Sequence, residues 1–362
     1  MINIKIIIFI SIIVFIIGVV VFLKNKKYSL TYYNDEEYPL RQDIVNMFNE
    51  EGIFEEKDLK KAYIYIPINY TNVENEYKNI PFNNHMLIHA IQGCDKIADK
   101  LYLSSILKKF YGVKCSLIPK TFDLKNNNEI KNLLEEKECV VVLKKNIQRQ
   151  RGLKFIKLSS LNLEKLKNYS KEGYVIAQKA LYNPYIIDKR KINIRYYLLI
   201  VIENNVKKAY LYNNGFIYYT KKDYNYSTDF DSMVTTGYID RSVYEKNPLT
   251  HEDLYQYIKK SGKEYTILRK NVKELISKVL KFICFYLIAS KGRINYQLFG
   301  IDIEPDYDLN VKLIEINKGP STTPMDNSRD SKLKSKLQKD IYKTIGVFKN
   351  FNNDNDFEII GI

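Results

Sequence analysis

Hydrophobic and polar positions along the chain follow two periods, which predict strands and helices in mixed order. Alternating positions, or short apolar runs bounded by turn residues, predict strands at residues 62–68, 139–143, 174–178, 192–202, 209–212, 216–219, 298–303 and 311–316. Apolar positions three or four apart predict helices at residues 85–110, 264–290 and 332–347. Because no strand–helix–strand unit repeats, we expect layers of the α+β class.

Turn residues predict how two pairs of these strands are joined. Asn213-Asn214-Gly215 separates two predicted strands and is typical of a tight hairpin. Residues 304–308, which include a proline and two aspartates, separate the last two strands and favour a turn. Each pair is therefore predicted to be antiparallel.

The beginning of the chain is apolar. Residues 6–23 carry no charge, and a membrane span needs about 17–25 such residues, so they predict a transmembrane helix. A cleaved signal peptide is the alternative, but its apolar core is usually about 7–15 residues long, and no small-residue cleavage site follows this run. Lysines 24, 26 and 27 follow the run, so the positive-inside rule puts the C-terminal body in the cytosol. We therefore expect a single-pass membrane protein, with a membrane as partner through residues 6–23.

Charge and cysteine content narrow the class of partner. The chain has a net charge of +15, and the basic excess lies after residue 60. Such a body favours acidic partners such as nucleotide phosphates or an acidic protein tail, although a merely solubilising lysine-rich surface gives the same count. No CxxC finger, RNP-like strand or arginine-rich helix occurs, so nucleic acid is not an expected partner. The four cysteines form no CxxC pair, which excludes a zinc framework of that kind.

The last predicted strand pair carries a candidate metal site. Asp302 points away from the apolar residues beside it, and Glu315 and Asn317 share the face opposite Ile314 and Ile316. In an antiparallel pair the three polar side chains converge, and carboxylate and amide oxygens are the ligands that Mg²⁺ prefers. An ordinary hairpin with a polar outer face is the alternative.

Two further segments present cations beside buried strands. Lys191, Asn193 and Arg195 alternate with apolar residues, so two cations share a face that can hold phosphate charge. A solvated strand face would show the same pattern. Lys144 ends a buried strand and precedes a basic loop containing Gly152, which suggests a lysine on phosphates under a flap, or simply a basic hairpin.

The order of these segments resembles the tubulin–tyrosine ligase-like family of the ATP-grasp superfamily. The family patterns are an IxKP-like strand, QxYIxxPLL(I/L)xxRKFDxRxY, LYxxGxxR, HLTN and FGxDxxxDxxLxxWLIEVNxxPS. In this chain the corresponding segments read VLKK, QKALYNPYIIDKRKINIRYY, LYNNGFIY, MVTT and FGIDIEPDYDLNVKLIEINKGPS. The likeness extends over residues 85–345 and is most specific in the second and last segments.

The resemblance implies a fold, two ligands and residue roles. The fold would be an ATP-grasp fold, with mixed and antiparallel sheets and helices that grip ATP, preceded by the N-terminal transmembrane helix. The ligands would be ATP and Mg²⁺. By position, the resemblance implies that Lys144 and Lys191 contact the phosphates and that Thr235 lies beside the ribose and phosphates. The adenine pocket would be lined by Gln178, Lys179, Ala180 and Leu181. Arg195 would lie near the transferred phosphate, and Mg²⁺ would be held by Asp302, Glu315 and Asn317. Lys191 and Arg195 would be the catalytic cations.

Three positions depart from the family patterns. The carboxylate of KFD is Asn193, the arginine of LYxxGxxR is Tyr218, and the asparagine of HLTN is Thr236. In the family the aspartate and the arginine at the first two positions are expected to bind the incoming amino acid and the acceptor. The resemblance therefore implies the ATP site but not the family's usual amino-acid substrate.

These features predict an ATP-dependent ligase that joins an amino acid to a protein carboxylate through an acylphosphate. An acidic acceptor such as a tubulin tail would suit the basic body. The alternatives are a catalytically silent ATP-grasp-like module at a membrane and a ligase for a small molecule or peptide. The expected organisation is a membrane anchor at residues 1–27, a polar tether at 28–61, an N-terminal α/β part at 62–138 and the ligase domain at 139–348.

Overall fold

The structure, a computed structural model, describes residues 30–37, 39–67, 73–77, 80–81, 83–112, 115–147, 151–324, 328–349 and 354–361. The strands within these ranges are β1 (Thr31–Tyr33), β2 (Phe54–Glu56), β3 (Ile64–Tyr65), β4 (Leu87–Ile88), β5 (Thr121–Asp123), β6 (Val140–Lys145), β7 (Leu153–Lys157), β8 (Tyr174–Lys179), β9 (Ile186–Ile187), β10 (Arg190–Glu203), β11 (Val206–Tyr212), β12 (Phe216–Thr220), β13 (Thr235–Thr236), β14 (Ile294–Pro305), β15 (Val311–Asn317) and β16 (Phe357–Ile360). The α-helices are α1 (Gln42–Glu50), α2 (Val73–Tyr77), α3 (Cys94–Ala98), α4 (Lys100–Tyr111), α5 (Asn127–Leu134), α6 (Leu163–Lys171), α7 (Phe230–Met233), α8 (Val243–Lys246), α9 (His251–Lys260), α10 (Tyr265–Ile283) and α11 (Arg329–Thr344).

A large sheet built around β10 and β14 forms the body of the protein. Its strands run in the order β13-β12-β10-β14-β4-β3-β1-β2, with β15 also on β14 and β11 also on β10. The pairs among β10 to β16 are antiparallel, whereas β14 with β4 and the pairs among β1 to β4 are parallel. A smaller antiparallel sheet, in the order β5-β8-β6-β7, stands beside it.

The two-residue period of β10 sorts its side chains onto two faces. Its even-numbered residues from Ile192 to Ile202 pack in the core that contains α10. The odd-numbered residues from Tyr197 to Val201 pack in a second core with α1 and α11. The odd-numbered residues before Tyr197, namely Lys191, Asn193 and Arg195, line a cleft instead. One strand therefore supplies both cores and one wall of the cleft.

The mixed sheets and helices agree with the α+β part of the predicted fold class, but the transmembrane helix must be removed from it. No helix in the described ranges is long and apolar enough to cross a bilayer. The segment for which we predicted the span, residues 6–23, lies outside the described residues. The prediction of a single-pass membrane protein with a cytosolic body is withdrawn together with the transmembrane helix, because that prediction depended on the helix alone.

The sheets also cut across the predicted domain boundaries. Residues 28–61 were expected as a polar tether with only a short helix around residues 42–49. They contain that helix, α1, but also the strands β1 and β2, and Ile44, Met47 and Phe48 of α1 are buried in a core. The boundary between residues 138 and 139 passes through the small sheet, because β5 pairs with β8. Parallel pairing brings β4 against β14, which lies some two hundred residues later, and no local pattern in the sequence predicts such a contact.

Candidate active site

A cleft of about 2600 Å³ opens between the two sheets. Strands β6, β7 and β8 of the small sheet form one wall, and β10, β14 and β15 of the large sheet form the facing wall. All the site residues predicted from the sequence line this cleft: Lys144, Gln178, Lys179, Ala180, Leu181, Lys191, Arg195, Thr235, Asp302, Glu315 and Asn317. The structure therefore brings together side chains from six different strands and the segment after β8.

Asp302, Glu315 and Asn317 meet at the base of the cleft. Asp302 lies opposite Glu315 in the β14–β15 pair. The Asn317 amide donates to Asp302 Oδ2 at 3.2 Å and to Glu315 Oε1 at 3.1 Å. The predicted convergence of the two carboxylates and the amide is therefore present.

Cations surround the two carboxylates and set their ionisation. The Arg195 guanidinium donates two hydrogen bonds to Asp302, one from Nε to Oδ1 and one from Nη2 to Oδ2 at 2.9 Å. Burial raises the pKa of Asp302, and the nearby Glu315 charge adds to it against the opposing effect of Arg195. Burial also disfavours the Glu315 anion, but the Lys100 and Lys144 charges outweigh it and hold the pKa of Glu315 below its ordinary value.

The donor set fits Mg²⁺ when the metal's other ligands come from outside the protein. Two adjacent carboxylates repel one another, and a divalent cation between them would relieve that repulsion. Half a turn of the Asn317 amide would offer its oxygen to the same place. No cluster of three or more carboxylate, histidine or cysteine ligands occurs in the described parts of the chain. A bound metal would therefore need water or phosphate oxygens as well.

A β-bulge corrects one prediction in this hairpin. Asp302 pairs with Glu315 but Ile303 pairs with Leu313, so Ile314 is the extra residue. We expected Ile314 to face the core with Ile316. Instead Leu313 and Ile316 are buried in the core, and Ile314 lines the cleft.

Lys144 and Gln178 form a buried polar pair on the small sheet. The Lys144 ammonium donates to Gln178 Oε1 at 2.6 Å, and Gln178 Nε2 donates to Thr121 Oγ1 at 2.8 Å. Burial lowers the pKa of Lys144 to about 8. Its cation can therefore be held in the cleft at neutral pH, where it faces the two carboxylates of the large sheet.

The segment after β8 closes one end of the cleft. The Ala180 N–H donates to Val140 O at 2.9 Å, and the Leu181 carbonyl accepts a hydrogen bond of 3.3 Å from the Tyr224 hydroxyl. Lys179 forms an ion pair of 2.8 Å with Glu136, which holds its ammonium on the small sheet. Thr235 lines the cleft from β13 and pairs with β12 in the large sheet.

The sequence analysis missed several charged residues of the cleft, among them Lys100, Glu304, Lys318 and Asp95. Lys100 Nζ lies 3.5 Å from Glu315 Oε2, Lys191 Nζ lies 3.2 Å from Glu304 Oε2, and Lys318 forms an ion pair with Asp95. Lys100 has no local pattern that marks it, because it begins α4 and reaches the site only through the tertiary fold. Glu304 carried a usable signal, since it alternates with Asp302 on β14, but we assigned it to a turn.

The three departures from the family patterns have defined places. Tyr218 lies opposite Asn193 in the β10–β12 pair, and its ring centroid is 5.2 Å from the Arg195 guanidinium carbon. The cation and the aromatic face attract one another. Thr236 pairs with Tyr219 and accepts a hydrogen bond from the Tyr238 N–H. An aromatic side chain thus stands over the central arginine where the family pattern has a second arginine.

A family model matches most of this chain, and known proteins match about half of it. The model of the tubulin-tyrosine ligase family matches residues 75–355. "Tubulin polyglutamylase ttll-4" of Caenorhabditis elegans is 25% identical over 207 residues, which are 51% of this chain and 33% of that protein. "Probable tubulin polyglutamylase TTLL9" of Rattus norvegicus is 29% identical over 185 residues, which are 49% of this chain and 39% of that protein. "Tubulin glycylase 3D" of Tetrahymena thermophila is 26% identical over 207 residues, which are 52% of this chain and 19% of that protein.

Proposed function

The chain belongs to the tubulin-tyrosine ligase family, and from that premise we propose that it is an ATP-dependent ligase that joins an amino acid to a protein carboxylate. The observation that carries the proposal is the convergence of Asp302, Glu315 and Asn317 with Lys144, Lys191 and Arg195 in one cleft. Oxygen ligands and buried cations at one place suit a metal–triphosphate substrate. The matched stretch spans only about a third of the polyglutamylases named above, so their activities support the proposal by analogy.

The proposed reaction has two steps. An acceptor carboxylate attacks the γ-phosphate of ATP and forms an acylphosphate, with ADP as the leaving group. The amine of an amino acid then attacks the acyl carbon, loses a proton and displaces inorganic phosphate, which leaves an amide bond. No covalent enzyme nucleophile is required.

The side chains of the cleft would act on charge in both steps. Asp302, Glu315 and Asn317 would hold Mg²⁺, which when bound neutralises phosphate charge as a Lewis acid. Lys144 and Lys191 would hold phosphate oxygens from opposite walls. Arg195 is fixed by Asp302 and Tyr218, so it would meet the developing charge with little reorganisation, and preorganised cations lower a barrier most effectively.

We further propose an acidic protein acceptor, such as the tail of tubulin. The net charge of +15 favours such a partner. The relatives named as polyglutamylases and a glycylase suggest glutamate or glycine as the incoming amino acid. Tyr218 replaces the family arginine expected to bind that amino acid, so the assay compares several amino acids.

A catalytically silent nucleotide-binding module is the second candidate. Arg195 occupies both carboxylate oxygens of Asp302 in this structure, and a metal would have to share or displace that contact. A protein that binds nucleotide but transfers no phosphate would be consistent with this ion pair.

The test uses the full chain and measures both binding and turnover. Calorimetry would give Mg-ATP affinity, and a coupled assay would follow ADP release with glutamate, glycine or tyrosine, each with and without tubulin. Glu315→Gln removes a proposed metal ligand and should lower ADP release by at least about a hundredfold, as expected when transition-state charge loses its stabilisation. Glu129→Gln is the matched control, because Glu129 forms an ion pair with Lys108 outside the cleft.

The outcomes separate the candidates. The protein ligase is supported if ADP release needs both an amino acid and tubulin, and if it is lost in Glu315→Gln but kept in the control Glu129→Gln. Release that needs an amino acid but no protein points to a small-molecule or peptide ligase. Mg-ATP binding without release under any condition favours the silent module.

A further inference from the structure

Several buried oxygens of the large sheet have no hydrogen-bond partner in the part of the chain that the structure describes, and two of them belong to residues that line the cleft. Within the described residues, Asn193 Oδ1 and Glu304 Oε1 are enclosed and accept no hydrogen bond. Both side chains are strongly buried, with relative exposures of 8% and 5%. Buried polar atoms are nearly always paired in folded proteins. Since both residues line the cleft, a ligand in the cleft is the natural source of the missing donors.

The two side chains form one row across the sheet. Arg195 pairs with Asp302 and Ile194 with Ile303 in the β10–β14 ladder, so the next step of the same antiparallel ladder puts Asn193 opposite Glu304. Glu304 and Asp302 are two residues apart and share the cleft face, about 7 Å from one another along the strand. This row therefore lies one step along the cleft from the proposed metal site.

Beyond Glu304 the strand runs towards the segment that follows β8. The Tyr185 N–H donates to Pro305 O at 2.8 Å, and the Tyr307 N–H donates to Asn183 O at 3.1 Å. Asn193 and Glu304 thus lie between the metal site and the stretch of residues 183–185, which follows closely on the residues proposed to hold adenine. In ATP the group between the base and the phosphates is the ribose.

The chemistry of the row matches a vicinal diol. Two acceptor oxygens suit two hydroxyl donors, whereas an ammonium ligand would lie beside Lys191, whose Nζ is 3.2 Å from Glu304 Oε2, and the like charges would repel. The presence of Glu304 also accounts for an uncharged residue at position 193. An aspartate there would put two carboxylates directly opposite one another on neighbouring strands, and they would repel. The carboxylate absent from β10 is thus present on β14.

We propose that Asn193 and Glu304 bind the two ribose hydroxyl groups of ATP and make Glu304 the residue that selects ribonucleotides over deoxyribonucleotides. The inference rests on the proposed function only in requiring that ATP binds in the cleft. It does not require that amino-acid ligation follows.

The test compares the affinities of the full chain for Mg-ATP, Mg-2′-deoxy-ATP and Mg-3′-deoxy-ATP by calorimetry. The analogue that lacks the hydroxyl bound by Glu304 should bind about tenfold more weakly than ATP, since it loses a hydrogen bond to a charged group. The other analogue loses a hydrogen bond to the neutral Asn193 and should bind about threefold more weakly. Glu304→Gln should shrink the larger preference to about threefold or less, because the charged acceptor is replaced by a neutral one. Adding Asn193→Asp to Glu304→Gln should restore a preference of that larger size, because the carboxylate returns from the facing strand. Glu129→Gln again serves as the control and should leave the preference unchanged.

The proposal is overturned if the wild-type chain binds all three nucleotides equally, or if Glu304→Gln weakens them all by the same factor. Rescue by the double variant also excludes a purely structural effect of Glu304→Gln. Failure of folded protein to bind any nucleotide would overturn this proposal and the proposed function together. If the chain prefers ribonucleotides through Glu304 but releases no ADP, the ribose proposal is supported and the proposed ligase activity is rejected.

Discussion

Lys144 is a buried lysine, and burial disfavours the charged form of its amine. Burial lowers its pKa from 10.5 to about 8, although the Glu315 charge partly opposes the shift. Because the pKa is lower in the folded chain, the unfolded chain binds more protons between pH 8 and 10.5, and this group's contribution to stability rises with pH across that window. A phosphate ligand has the opposite preference, since it binds the protonated amine.

We therefore predict that Mg-ATP affinity falls as the pH rises through about 8. The loss should approach about tenfold or more at high pH, because a charge-assisted contact is replaced by a weaker neutral one. Calorimetric titrations between pH 7 and 9.5 would measure it. Lys144→Arg keeps its charge throughout this range and should flatten the profile. An unchanged slope in that variant would show that Lys144 does not contact the nucleotide.

At the scale of elements, β10 organises the site through its length. It pairs with β11 along its second half, from Leu198 to Glu203, and with β12 along its first half, from Ile192 to Arg195. The predicted hairpin at Asn213-Asn214-Gly215 is therefore wrong as a strand pair, because the two flanking strands follow one another along the same edge of β10. The true hairpin turns at Asn204 and Asn205, both with positive φ.

Gly215 permits the close approach of β12 to Arg195. A Cβ at this position would lie 2.1 Å from the Arg195 carbonyl oxygen and 2.6 Å from His251 Nε2. We predict that Gly215→Ala destabilises the fold by about 1–3 kcal/mol, because the backbone must move to relieve the overlap. Chemical denaturation would measure the change in unfolding free energy. Gly361→Ala is the control, since its Cβ would meet nothing within 4 Å, and equal effects in the two variants would contradict the argument.

At the scale of the whole molecule, the cleft lies between two sheets with separate cores. The small sheet packs its own core with α5 and α6, and Lys144 and Gln178 face the large sheet from it across the cleft. A ligand that contacts both walls would bind the folded chain but not the unfolded chain. Its binding energy would then add to the stability of the whole protein.

We accordingly predict that saturating Mg-ATP raises the melting temperature by several degrees. At about one hundred times Kd the gain is about 2.7 kcal/mol, enough for a shift of that size in a chain of this length. Differential scanning fluorimetry would measure it with and without EDTA. Removing the divalent cation, or replacing Glu315 by glutamine, should reduce the shift, and a melting temperature that ignores Mg-ATP would contradict nucleotide binding in the cleft.

The sequence by itself determined the elements whose causes are local. Alternation along β10 and β14 predicted both strands and the face that carries Arg195 and Asp302, since a strand places every second side chain on the same side. The apolar period of α10 predicted its buried face in the same way. Local patterns marked Lys144, Lys191, Arg195, Asp302, Glu315 and Asn317, whereas Gln178 to Leu181 and Thr235 were predicted from the family resemblance. All eleven line the cleft, and their roles there stay predictions.

Only the tertiary structure decided the rest, because it depends on contacts between distant segments. The bulge at Ile314 arises in a ladder whose register no single strand specifies, and the Leu313 N–H donates instead to Leu117 O. Lys100 reaches Glu315 only after α4 has packed beside β15. The position of Asn193 across from Glu304 likewise follows from the register of two strands a hundred residues apart, and no local pattern in the sequence predicts that register.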